Sequence, residues 1–139
     1  MEYKFVYDDK EYVLNEENCD GIFLDSDNEV EEIEGLSLDI ILNALCEGKV
    51  INFSKEFYGD KCYCDSQEKI NKSYAYLEYH FYVYTKENKY IINTLCKEYE
   101  NTSYNKLFRV GKIDDSYIVS IVVCPCCGNY TVEIEQCTV

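Results

Sequence analysis

Hydrophobic and polar residues alternate from the start of the chain. Tyr3, Phe5 and Tyr7 are interleaved with Lys4 and Val6, and Asp8-Asp9-Lys10 then turns the chain into Glu11-Tyr12-Val13-Leu14. That is the pattern of a β-hairpin. An apolar island at residues 22–24 reads as a short edge strand. At Ser37 the period changes: Leu38, Ile41, Leu42 and Leu45 fall on one side of a helix. Ser37 caps its start, Asp39 suits the first turn and Gly48 can close its end. Residues 50–53 read as a strand, and residues 74–85 give the longest period-two run. In that run Tyr74, Tyr76, Glu78, His80, Tyr82 and Tyr84 face one way, and Ala75, Leu77, Tyr79, Phe81 and Val83 the other. Residues 86–89 turn it back into a partner strand from Tyr90. A second short helix is expected from Thr102 or Ser103, through Leu107 and Phe108, to Gly111. Two strands, 117–123 and 130–136, close the chain around Cys124-Pro125-Cys126-Cys127-Gly128-Asn129. Strands outnumber helices, without βαβ alternation or internal repeats, so the expected class is α+β: a mostly antiparallel sheet with about two helices and a C-terminal knuckle hairpin.

Composition sets bounds on this picture. A length of 139 residues with 47% hydrophobic positions is enough for one packed domain, 1–139, and too short for two of ordinary size. The charge is uneven. Residues 1–47 hold 15 acids against Lys4 and Lys10, whereas the remaining 92 residues are nearly balanced, within a total of −14. The densest run, residues 25–34, reads DSDNEVEEIE. An acid excess of this size argues against nucleic acid and against an anionic membrane surface, both of which require a basic face. It fits a solvated loop or a docking surface for a basic protein partner. The opening residues lack a basic stretch followed by an apolar run, and no segment has the length of a membrane span, so a cytoplasmic protein is expected.

Nine cysteines carry the chemistry: 19, 46, 62, 64, 96, 124, 126, 127 and 137. An odd count without an export signal makes a disulfide framework a poor reading, and clustered thiols in a reducing compartment point to metal or redox work. Cys124-Pro-Cys-Cys127-Gly128 has the C-P-x-C-G form of a metal knuckle. Proline fixes one turn angle, and glycine permits the positive φ that lets backbone amides face the sulfurs. Zinc takes four ligands, and the other close pair is Cys62-Tyr63-Cys64 in the loop 59–65. Cys62, Cys64, Cys124 and Cys127 are therefore the expected ligands of one structural Zn²⁺, stapling that loop to the hairpin 117–137. Cys126 could substitute for Cys124 or Cys127. A redox dithiol is the main alternative, although such a motif usually opens a helix and here a strand follows. Cys19, Cys46, Cys96 and Cys137 read as core or edge residues.

No catalytic set stands out. His80 is the sole histidine and shares a strand face with Glu78, with no serine or cysteine identifiable beside them. Phosphate-loop, H-E-x-x-H and G-x-S-x-G motifs are absent. The remaining alternatives are an enzyme using the CPCCG thiols, or a regulator binding a small ligand on the face of Tyr76, His80 and Tyr82.

The CPxCG hairpin resembles half of a zinc ribbon. With EFYGDKCYC, LEYHFYVYT and SYIVSIVVCPCCG, the chain resembles an uncharacterised family of small, acidic, tyrosine-rich bacterial proteins. That resemblance implies no activity.

Overall fold

The N-terminal alternation folds as expected, into β1 (Glu2–Tyr7) and β2 (Lys10–Asn15), paired antiparallel with Phe5 opposite Tyr12. Asp8 and Asp9 have φ of 50° and 63°, the two left-handed residues of a turn whose twist matches that of its strands. The computed structural model describes residues 1–25, 33–64 and 66–137, so residues 26–32 of the acidic run lie outside the described residues.

The remaining elements are β3 (Cys19–Asp25), α1 (Leu38–Glu47), β4 (Ser54–Tyr58), β5 (Tyr74–Lys86), β6 (Lys89–Asn93), α2 (Tyr104–Arg109), β7 (Asp115–Val123) and β8 (Tyr130–Gln136). Six strands form one sheet in the order β3-β8-β7-β5-β4, with β6 also paired to β5. β3 runs parallel to β8, and every other strand pair is antiparallel. The class is α+β with two helices, as the pattern predicts.

Both helices start where a serine oxygen meets an unpaired amide. Ser37 accepts from the Ile40 N–H and Ser103 from the Lys106 N–H. Helix α1 turns Ile41, Leu42, Ala44 and Leu45 inward. They pack with Phe5, Tyr12 and Leu14 of the hairpin on one sheet face, formed by Leu77, Phe81, Val83, Val119, Ile121, Val132 and Ile134. A smaller cluster of Tyr84, Leu107 and Ile113 lies under α2. Beyond it the second sheet face stays open around His80 and Tyr82. Among the described residues, no helix is long and apolar enough to cross a membrane.

One expectation needs correction. Residues 50–53 are not a strand. Their apolar run instead delivers Phe53 to the core, where its ring stacks on Phe5 with centroids 4.0 Å apart. Pairing begins at Ser54, opposite Glu78, along an edge strand exposed at every residue, whose polar sequence SKEFY gives no burial signal. Gly48 closes α1 as expected, through its N–H to the Ala44 carbonyl, with φ of −62°. A Cβ there would lie 2.6 Å from the Ile51 Cδ1, so a larger residue would make that side chain shift.

Candidate metal centre

The turn between β7 and β8 closes on itself. The Cys124 N–H donates to the Asn129 carbonyl and the Gly128 N–H to the Cys124 carbonyl, both at 2.9 Å. Gly128 has φ of 79° with open space where a Cβ would sit, so backbone conformation alone calls for glycine here. This conformation turns amides toward sulfur. The Asn129 N–H lies 3.4 Å from the Cys127 Sγ, and the amides of Cys126 and Cys127 act on the Cys124 sulfur. The N-terminal hairpin clamps the turn from outside. Lys10 Nζ donates to the Pro125 carbonyl at 2.6 Å, Tyr12 Oη to the same oxygen at 3.3 Å, and Asn18 Nδ2 to the Gly128 carbonyl at 3.2 Å.

The second pair sits in the irregular connection from β4 to β5. Gln67 organises it. Its side chain, 7% exposed, accepts from the Cys62 N–H and donates to the Ala75 carbonyl of β5, both at 2.8 Å. Tyr76 Oη donates to the Asp60 carbonyl at 3.0 Å. Loop and strand are thereby joined on both sides of the cysteines. Sequence reading missed Gln67, since one amide in a polar loop leaves no pattern.

These two remote segments bring four thiols together. Cys62, Cys64, Cys124 and Cys127 have all their Sγ atoms within 4.8 Å of one another. The Cys62–Cys127 and Cys64–Cys124 sulfur separations are both 3.8 Å. A tetrahedral ion with Zn–S bonds of about 2.3 Å sets its sulfurs about 3.8 Å apart. The spacing is far longer than a disulfide bond of about 2.05 Å, and all four thiols are free. The set is therefore compatible with a metal site. Cys126 stands apart, exposed, with its Sγ 3.6 Å from the Ser66 carbonyl.

The electrostatics of the cluster make metal binding a competition with protons. Burial raises the Cys62 and Cys127 thiols and pushes Cys124 up to about 11, whereas the Ser66 backbone amide brings Cys64 down to about 7. In the free protein at neutral pH, protons hold most of the sulfurs uncharged. An ion that binds all four would displace about three protons or more.

On the open sheet face a polar chain runs across the strands. Tyr58 donates to Glu78, the Glu78 Oε1 lies 2.9 Å from the His80 Nε2, and the His80 Nδ1 lies 2.7 Å from the Ser120 Oγ. The sequence reading found no serine near His80. The register supplies one, because Ser120 of β7 stands directly opposite His80. The chain has the order of a Ser-His-Glu relay. β7 is paired on both sides, so its own backbone amides are engaged in the sheet.

A cavity of about 330 Å³ opens on this face beside the cysteines, and Cys62 and Cys124 form part of its wall. It includes Tyr76, as the ligand-pocket alternative requires, but it lies toward the metal end of the sheet and is not lined by His80 or Tyr82. Residues 60–63 of the loop supply the missing wall, a contact that strand alternation does not reveal.

No curated protein and no solved structure matches this chain. A family model described as a protein of unknown function (DUF3785) matches residues 3–139. Covering nearly the whole chain, that match means that the protein belongs to the DUF3785 family.

Proposed function

We propose that this protein is a non-enzymatic interaction module whose fold is pinned by one structural Zn²⁺ on Cys62, Cys64, Cys124 and Cys127. The convergence of four thiols from segments 60 residues apart in sequence, with two sulfur pairs at tetrahedral spacing, carries the reading. Four protein ligands close the coordination shell and leave no position for substrate or activated water, which is the mark of a structural site. Zinc fits better than calcium or magnesium because an all-thiolate set suits a softer ion.

The interaction surface is the acidic N-terminal third. Glu2, Asp8, Asp9, Glu11, Glu16, Glu17 and Asp20 are all exposed. A basic protein partner would meet a dense negative field there, and the association would weaken as salt screens it. Cobalt substitution tests the site: Co²⁺ in a tetrahedral thiolate set gives intense visible absorption that one equivalent of Zn²⁺ abolishes. A pulldown from cell extract tests the surface. Basic proteins released by salt are expected, and recovery of only neutral or acidic partners, unaffected by salt, would contradict it.

A further inference from the structure

The cavity beside the cysteines combines two features that select one class of ligand. Among the described residues its wall carries the carboxylates Asp20, Asp60 and Glu133 and one ammonium, Lys61, while Asn129 Nδ2 lies 3.5 Å from the Asp20 Oδ1. Its floor and rim are aromatic. Tyr58 and Tyr76 meet edge to face, with centroids 5.5 Å apart and planes at 78°. Phe23 of the edge strand is half-exposed, and Tyr63 is fully exposed at the loop tip between two metal-ligand positions. The ring faces are electron-rich and attract cations, most strongly where water is partly excluded. Cys62 and Cys124 lie on the same wall, and a Zn²⁺ tetrathiolate has a net charge of about −2. Every major contributor except Lys61 therefore favours positive charge. The volume of 330 Å³ lies at the low end of small-molecule pockets and suits one group the size of an arginine or lysine side chain.

We propose that this cavity is a binding site for an organic cation, an alkylguanidinium or alkylammonium group seated between Tyr58, Tyr76 and the Glu133 side of the wall. The inference deepens the reading of a basic partner by placing one of its cationic groups in a defined pocket beside the metal, and not on the diffuse acidic surface. Lys61 adds one positive charge to the described part of this wall and so opposes cation binding.

The test is an amide chemical-shift titration of the full chain, as purified, with n-butylguanidinium, n-butylammonium and neutral n-butanol. Shifts are expected to saturate for the two cations around residues 20–23, 58–63 and 129–133, with n-butanol at least tenfold weaker. Glu133→Gln should weaken the cations about fivefold, and Lys61→Met should strengthen them by a similar factor. Equal binding of n-butanol, or loss of cation specificity without any effect of either substitution, would overturn the proposal. A parallel arm with acetyl-Gly-Arg-Gly-amide separates the sources. Tighter binding of the peptide identifies a partner's side chain, and tighter binding of free butylguanidinium a small cationic ligand. Cation shifts confined to the acids at residues 2–17 would sink the pocket while leaving the interaction-module reading intact. Conversely, saturable pocket binding by protein that captures no basic partner would sink that reading alone.

Discussion

At the scale of single residues, the weight of the site falls on side chains that are not ligands. Gln67 is the clearest. Its amide satisfies a Cys62 donor and an Ala75 acceptor at once, and it is buried, so water cannot replace it cheaply. Gln67→Ala is expected to lower stability by about 2 kcal/mol and metal affinity by about 10- to 100-fold, the usual cost of losing an outer-shell partner. Competition with a chromophoric chelator measures the second effect, and unchanged affinity would mean that the loop needs no positioning. Glu78 shows the same logic away from the cysteines. It is 7% exposed and takes the Tyr58 hydroxyl and the His80 Nε2 as its partners. The four ligand candidates were legible because C-x-C and C-P-x-C-G are short, local spacings. Gln67 and Ser120 were not, because each acquires its role from a strand or loop remote in sequence.

At the scale of elements, local rules performed well wherever a turn or cap residue sits next to the pattern it terminates. The Asp8-Asp9 and Glu87-Asn88 turns, with φ of 51° and 65° in the second, mark both N-terminal and central hairpins. Ser37 and Ser103 mark both helices. Local rules failed at β4, whose exposed edge lacks alternation, and at the parallel pairing of β3 with β8, which joins the two ends of the chain and leaves no local trace. The run 50–53 misleads for a physical reason: its last residue is apolar to anchor a loop and not to build a ladder. Phe53 stacks on Phe5 and reaches Tyr79, so it fastens the N-terminal hairpin to the sheet. Phe53→Ala should cost about 3–5 kcal/mol. In a chemical denaturation curve the midpoint falls at constant slope, and a loss below 1 kcal/mol would show that the stack is not part of the cooperative core.

At the scale of the molecule, two forces pull in opposite directions. A charge of −14 strains the compact state through self-repulsion, most of it in the first third of the chain. Burial opposes it, as would a metal ion joining the two cysteine-bearing segments. Of the fifteen tyrosines, Tyr12, Tyr84, Tyr117 and Tyr130 are buried in the core, and burial holds several phenols neutral to higher pH than usual. Burial pushes Tyr76 up to about 12 and raises Tyr58, Tyr84 and Tyr130 further. Their folded values exceed the unfolded value near 10, so the stability they contribute is complete below pH 10 and is lost as pH rises through the folded values. Melting temperature should therefore fall steadily above pH 10, with part of the tyrosinate absorbance appearing late and cooperatively. Titration of all fifteen as one ordinary phenol near pH 10 would contradict this.

The central claim is that two remote segments hold one metal ion between them, and elemental analysis tests it most directly. Untagged protein purified without chelator should contain about one zinc per chain. Cys62→Ser from the loop and Cys127→Ser from the knuckle should each lose it. Substoichiometric metal in the wild-type protein, or full retention after either substitution, would contradict the account.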